Sequence, residues 1–406
     1  MPEIRDVMPH IIIVGSGPTG AALSLLLAKH RIAVTLVEAA KDFHRVFRGE
    51  GLMPSGLDAL AQMGLSEILD RVPHRPLAAW EFILDQQQLF RVDEPMGSKQ
   101  PCTLVSQPPL LEALMAEASQ YPDFRLMQGI GVKDLVWENE RVIGVKLSDG
   151  QTITADLVIG TDGRNSIVRQ RAELQLVKQP NEIEVLWFKL AAHPKFIEEN
   201  IFCTILSGDR GFSVFHGAEA GKLHLAWVRS PDEPADWQQT NWPETFAALS
   251  PPWLAQHFRQ VADTIESPIR LSVVVGRCPQ WYRPGVLLLG DAAHPMSPVR
   301  AQGINLALRD VIVAVNQLIP VLKTSSNESS LDAACAQIQA IREPEIMRAQ
   351  HLQAKEAQQG ELLRKNALIR AILVRLAPML RGGLRYSWLR RQSELREGVT
   401  EVKLIV

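Results

Sequence analysis

His10-Ile11-Ile12-Ile13-Val14-Gly15-Ser16-Gly17-Pro18-Thr19-Gly20 forms the first recognisable unit of the chain, and Ala33-Val34-Thr35-Leu36-Val37-Glu38 completes it. Residues 10–14 read as a short, fully buried strand. A GxGxxG turn follows, then a helix over 21–30 and a second apolar strand over 33–38. That is a compact βαβ unit, so the fold begins as α/β with a parallel sheet. The three glycines serve the tight turn, the close approach of a pyrophosphate and close helix–strand packing. A pyrophosphate belongs at the helix N-terminus, beside Pro18, Thr19 and Gly20, where free N–H groups and the helix dipole favour an anion. Glu38, at the end of the second strand, suits ribose hydroxyls and repels a 2′-phosphate. A valine at Gly15 is expected to bar the pyrophosphate. The motif alone does not choose between NAD and FAD.

Further along, 55–63 and 109–118 have helical spacing. Residues 142–147 and 152–159, joined by Ser148-Asp149-Gly150, alternate like a hairpin. Residues 185–190, 202–206, 211–215 and 222–228 read as strands of a second, antiparallel layer. The segment 286–289 is again a short buried strand, followed by a glycine-containing turn and a helix near 304–318. The chain therefore leaves a nucleotide-type sheet and returns to it. The expected division is a discontinuous cofactor domain (1–80, 106–180 and 270–330), an inserted antiparallel-sheet substrate domain (81–105 and 181–269) and a helical C-terminal segment (331–406).

The chain has 406 residues, enough for two or three domains at roughly 150 residues each. Lys plus Arg is 43 against 45 for Asp plus Glu, a net charge of −2 that argues against nucleic acid as a partner. Cys102, Cys203, Cys278 and Cys335 lie far apart without CxxC spacing, so neither a metal site nor a disulfide framework is expected. The first nine residues carry charges and lack the apolar core of a signal peptide. No run of about 18 apolar residues is seen, so no membrane span is expected and the location is read as cytoplasmic.

Two more segments place an aspartate just past an apolar strand. Gly160-Thr161-Asp162-Gly163-Arg164-Asn165-Ser166 follows 157–159, and Gly290-Asp291-Ala292-Ala293-His294-Pro295 follows 286–289. The second continues to Pro298 and Gln302-Gly303-Ile304-Asn305. In a parallel sheet this is the carboxyl end, where open α/β sheets bind ligands. Gly303 and Ile304 open a helix, and its positive end suits the negative pyrimidine edge of a reduced flavin.

With these three motifs in this order, the chain closely resembles the single-component aromatic-ring hydroxylases, the para-hydroxybenzoate hydroxylase family, over most of 8–320. The resemblance implies a Rossmann-like FAD-binding domain and a monooxygenase that uses NADH or NADPH, O2 and a small aromatic substrate through a flavin C4a-hydroperoxide. It gives Asp162 and Gly163 a place near the FAD pyrophosphate and a part in NAD(P)H use. It gives Asp291 the ribityl chain, and Gly303, Ile304 and Asn305 the flavin edge. Arg48 is implied near the FAD phosphates or the moving flavin ring, and Gln107 is implied as a cofactor contact. Many relatives carry glycine where this chain has Ala301, which is expected to restrict the loop beside the flavin.

No acyl-transfer nucleophile elbow and no HExxH metal motif appear. With only three tyrosines, no phenol-deprotonating base is assigned. Arg48, His216 and Pro298 remain weak catalytic candidates, and His216 reads more readily as a structural histidine. His294 is read as shaping its loop. Trp80, Trp187, Trp227 and Trp253 serve either a pocket or a core. A related FAD-dependent reductase or halogenase, and a non-catalytic escort protein of the same architecture, are the alternatives. The tryptophan-halogenase WxWxIP segment is missing, and the intact aspartate motifs argue against the escort.

The stretch 364–396 holds eight arginines, one lysine and a single acid, Glu394, with apolar residues at helical spacing. It is expected either to cap the cofactor domain or to lie against an anionic membrane. Pro378 and Gly382-Gly383 are expected to break its helix. The oligomeric state is not readable from the sequence.

Overall fold

The computed structural model describes residues 9–43, 50–179, 183–229, 237–324 and 327–406. Its central sheet runs Tyr282–Arg283, Val286–Leu288, Leu157–Gly160, His10–Val14, Ala33–Glu38 and Phe124–Gln128 from edge to edge. Neighbours pair in parallel except at the Tyr282–Arg283 edge. Ile11, Ile12 and Ile13 are completely buried because helices cover one face and a small antiparallel sheet packs against the other. The fingerprint helix Pro18–Lys29 packs between helices Gln107–Ala118 and Gln302–Lys323.

The hairpin reading of 152–159 needs correction. Its strand ends at Thr154, paired with Gly144, and Leu157–Gly160 joins the parallel sheet beside Ile11. One apolar alternation thus runs across two sheets, with Ala155 and Asp156 as the corner. Hydrophobic periodicity registers no such change of partner.

The inserted layer is one seven-stranded sheet, ordered Ile269–Val273, Ile183–Ala191, Lys222–Arg229, Arg210–His216, Ile201–Ser207, Ala79–Leu84 and Gln87–Asp93. All its pairs are antiparallel except Ile201–Ser207 with Ala79–Leu84. Strand Ala79–Leu84 straddles the expected boundary at 80, and Ile269–Val273 straddles that at 269. Thr103–Val105 lies on the cofactor side, paired with Gly51–Leu52 and His74–Pro76.

The large sheet separates two cores. One holds Phe188, Phe196, Trp227, Phe246 and Phe258 under helices Trp242–Leu249 and Pro252–Gln260. The other faces the cofactor domain and joins Trp80, Trp187 and Phe215 to Met53, Cys102 and Ala301 from that domain. Trp388 and Ala377 of the last helix close it.

That last helix runs unbroken over Ala367–Glu397, through Pro378 and Gly382-Gly383. The expected break is absent because packing along Arg370, Ala377 and Trp388 holds the element in register, overriding local propensity. It packs on strand Gln87–Asp93 of the inserted sheet and also on helix Pro54–Gln62 of the cofactor side, where Gln302 donates to the Leu395 carbonyl at 2.7 Å, so it caps both. The segment Val299–Lys323 is apolar and long enough to cross a membrane, contrary to the expectation from the sequence, yet most of it is buried within the fold.

Candidate functional site

The glycine turn is built by close contacts with the other two motifs. Gly15 has φ +100°, and its N–H donates to the Val37 carbonyl at 2.8 Å. A Cβ there would stand 2.7 Å from the Asp162 Cα, and one at Gly20 would stand 2.0 Å from the Gly15 carbonyl oxygen. A Cβ at Gly17 meets nothing within 4 Å. Gly17 is therefore the glycine with open space in front of it. A valine at Gly15 would collide with the second motif rather than bar a ligand, which corrects the sequence reading.

Gly17 is also the N-cap of helix Pro18–Lys29, with no side-chain cap. The amides of the first turn, Thr19 and Gly20, lie at the unsatisfied positive end of the helix. Glu38 is buried at the end of its strand and already holds the turn. Its Oε2 accepts from the Ser16 N–H at 2.8 Å and the Ser16 hydroxyl at 2.6 Å, and its Oε1 accepts from the Ala40 N–H at 2.7 Å.

Asp162 turns back into its own loop. Its carboxylate accepts from the Ser166 hydroxyl at 2.5 Å and from the Ile167 and Val168 N–H groups at 2.7 and 3.1 Å. It is thus an anchor for the short helix Ile167–Arg171, and burial pushes its carboxyl up from the usual range. Gly163, at φ +80°, borders open space. Arg169 carries a role that sequence reading missed: buried, it donates to the Ala292 carbonyl at 2.8 Å and the Arg164 carbonyl at 2.7 Å. It thereby ties the second motif to the third. Arginines in a charged loop usually face water, so only the fold exposes this one as a tether.

The third motif is held from behind. Gly290 sits at φ +58° within 2.5 Å of Thr19 Oγ1, measured from the position of an added Cβ. Its N–H donates to Asp310 at 3.1 Å, and His294 Nε2 lies 2.7 Å from the same carboxylate. Asp310 in turn takes the Arg342 Nε–H at 2.7 Å, and Arg342 also pairs with Glu345. Burial opposes ionisation of Asp310, but His294 and Arg342 hold its carboxyl below the usual range. His294 therefore shapes the loop, as read from its position.

The Asp291 side chain is exposed beside Gly303, where an added Cβ would stand 3.7 Å from its Oδ1. Gly303 and Ile304 lie in the first turn of helix Gln302–Lys323, whose N-cap, Ala301, has no side-chain cap. Arg300 and Ala301 both take left-handed φ, +58° and +49°. Pro298 begins this turn and brings no proton-transfer group. Asn305 is buried as a clamp. Its Oδ1 accepts from the Met53 N–H at 2.8 Å, and its Nδ2 donates to the Gly51 and Ala301 carbonyls at 3.1 and 2.6 Å. Its side-chain amide thus holds protein backbone beside the start of the helix. Gln107 is the first residue of its helix and partly exposed. Arg48 lies outside the described residues.

Two buried groups at the junction of the domains were not singled out from the sequence. Glu50 Oε2 accepts from the Ala218 N–H at 3.0 Å, while its Oε1 lies 3.3 Å from His224 Nδ1. Burial pushes Glu50 up to about 7 and His224 down to about 3. Such a pair can take up or release one proton near neutrality. Glu50 precedes the strand Gly51–Leu52, and an added Cβ on Gly51 would stand 3.1 Å from Ala301 Cβ, so the pair lies close to the helix start at Ala301. His216 does not share this freedom. Its ring meets the Gly217 carbonyl at 2.7 Å and the Gly221 N–H at 3.2 Å, which leaves it a structural histidine.

Above this junction Arg300 stands over an aromatic cage. Its guanidinium carbon is 5.1 Å from Trp80, 5.7 Å from Phe82 and 4.9 Å from Trp388, and its Nε–H donates to Glu356 at 2.9 Å. Trp80 and Trp187 thus line the side facing the cofactor domain, whereas Trp227 belongs to the opposite core and Trp253 lies beside His193 and Lys195.

Comparison with known proteins gives a consistent set. A model described as an FAD binding domain matches residues 8–349. The chain is 30% identical to a 6-methylpretetramide 4-monooxygenase of Streptomyces rimosus, over 92% of this chain and 91% of that protein. It is 28% identical to the 3-demethoxyubiquinol 3-hydroxylase of Escherichia coli K12, over 76% and 79%. The solved p-nitrophenol 4-monooxygenase of Pseudomonas putida superposes with a TM-score of 0.76 at 17% identity, over 97% of this chain and all of that one. At that identity the superposition speaks for the fold.

Proposed function

The chain belongs to the family of FAD-dependent aromatic-ring hydroxylases that share this FAD binding domain, and from that membership we propose that it hydroxylates a lipophilic aromatic small molecule with NADH or NADPH and O2. It is a flavoprotein monooxygenase of that class. The observation that carries the reading is the convergence of three motifs at the carboxyl ends of neighbouring parallel strands, where Gly17 borders open space, Asp291 is exposed and helix Gln302–Lys323 starts without a side-chain cap.

These residues fit FAD. Two uncapped helix starts offer N–H groups to anionic ends of the cofactor, the pyrophosphate at Thr19 and Gly20 and the flavin edge at Gly303 and Ile304. Glu38 takes a ribose hydroxyl, and Asp291 takes the ribityl chain. When bound, FAD supplies hydride acceptance from the nicotinamide and activation of O2 at its C4a position.

The remaining work falls to the protein. The buried rings of Trp80, Phe82 and Trp388, with Arg300 across their faces, keep water from the junction of the domains. Glu50 and His224 take the proton that a ring hydroxyl gives up. Relatives named for 6-methylpretetramide and for a demethoxyubiquinol support a ring substrate with apolar character. All four cysteines are buried free thiols, which suits a cytoplasmic setting.

The visible spectrum tests the site first. The parent protein is expected to hold FAD, and Gly17→Val is expected to lose it while melting at the parent temperature. Anaerobic NADH or NADPH should then bleach the bound flavin, faster with one phenol than without. A colourless protein that rejects added FAD would overturn the reading. A bound flavin that neither nicotinamide reduces would overturn the electron donor.

A further inference from the structure

Helix Ala367–Glu397 has two apolar faces, and the fold covers one of them. The inner face buries Ala377, Trp388 and Leu395. It is pinned by Arg370 to Asp85 at 3.3 Å and by Arg396 to Glu94 at 2.6 Å. On the opposite face Leu368, Ile372, Arg375, Met379, Tyr386 and Arg390 follow one another at helical spacing. Leu368 is 71% exposed, Met379 83% and Tyr386 68%. Leu376 and Leu380 extend the exposed apolar surface to one side. A contiguous patch of this kind marks a contact surface.

The charge around the patch has one sign. Arg375, Arg385 and Arg390 are exposed, whereas Arg381 turns to the inner side and donates to the Gln88 carbonyl at 3.2 Å. The two acids of the helix are engaged elsewhere, Glu394 by Arg348 at 2.7 Å and Glu397 by Ser98. A second copy docked through the same face would set arginine against arginine. A layer of anionic headgroups would neutralise those charges while its acyl boundary takes up Leu368, Ile372 and Met379.

We propose that the outer face of helix Ala367–Glu397 lies in the headgroup region of an anionic bilayer. The inner face of the same helix packs on the aromatic cluster of Trp80, Phe82 and Phe90, so about 10 Å, one helix diameter, separates lipid from that cluster. On the reading of the preceding subsection, a lipophilic substrate would enter from the membrane side. Only this route rests on that reading; the surface does not.

The test is flotation of the FAD-loaded full chain with vesicles. The protein is expected to float with phosphatidylglycerol–phosphatidylcholine vesicles, to stay behind with phosphatidylcholine alone, and to release as salt is raised. Arg375→Gln, Arg385→Gln and Arg390→Gln should each weaken binding about fivefold. Leu368→Ser with Met379→Ser should also leave the protein in the soluble fraction. Unchanged flavin absorbance and melting temperature identify these as surface effects. Parent protein wholly soluble beside anionic vesicles at low salt would overturn the proposal. So would variants that float like the parent, or a dimer in light scattering that the apolar variant converts to monomer. Vesicle binding by a protein that refuses FAD would leave the surface standing and sink the reaction.

Discussion

Glu50 shows what a single buried carboxyl contributes. Lys189, Glu219 and His224 are the charged or titratable groups that act on it, and burial outweighs them. Because its folded value is raised to about 7, the neutral acid is the form the fold prefers. Stability from this group is full below about pH 4.5 and is lost as pH rises through 7, an effect of roughly 3 kcal/mol. Urea unfolding of the parent should therefore weaken between pH 5 and 8, and Glu50→Gln should flatten that part of the profile; an unchanged slope would show that Glu50 does not titrate there. Residues of this kind were illegible in the sequence. Gly15, Gly17 and Gly20 declare themselves because they form one turn and the start of its helix, although the space around Gly15 is closed by Asp162. Glu50, His224 and Arg169 acquire meaning only from partners far along the chain. Asn305 shows the converse: it sits in a legible motif, yet its amide is spent on backbone at Gly51, Met53 and Ala301.

Helix Gln302–Lys323 gathers its meaning from what stands behind it. Asp310 supports Gly290 and His294 on one side and meets Arg342 of helix Glu328–Lys365 on the other. Arg342 leads to Glu345, which Arg309 also reaches at 3.0 Å. Every member of this chain is buried. Arg342→Leu would leave Asp310 and Glu345 short of a counter-charge, at a cost of about 3–5 kcal/mol. Chemical denaturation should show that loss, and flavin should dissociate more readily because the third motif loses its support; a change below about 1 kcal/mol would mean the network is not coupled. At this scale the sequence was largely readable. Strand Ala33–Glu38 falls where its apolar run places it, whereas the fingerprint helix begins at Pro18, three residues before the expected start at 21, because proline suits a first turn. The misreadings came where tertiary packing overrode local signals, at the corner after Thr154 and at Pro378.

For the molecule as a whole, the last helix decides whether the aromatic cluster of Trp80, Phe82 and Phe90 is covered. Trp388 touches Trp80, Phe82 and Phe90, with ring centroids 6.3, 5.1 and 6.1 Å away. Trp388→Ala should cost about 3–5 kcal/mol locally. Hydrogen exchange should then quicken over 367–397 while the parallel sheet keeps its protection; uniform quickening would mean that the helix and the sheet unfold as one unit. The order of strands in that sheet has a consequence for biosynthesis. His10–Val14 is made before the other strands of its sheet, yet one of its edges stays empty until Leu157–Gly160 arrives, and Val286–Leu288 comes later still. Asp310 and Arg342 follow after that. A nascent chain therefore carries its glycine turn without a floor beneath it until these later partners have been made, and the nucleotide cradle closes only then.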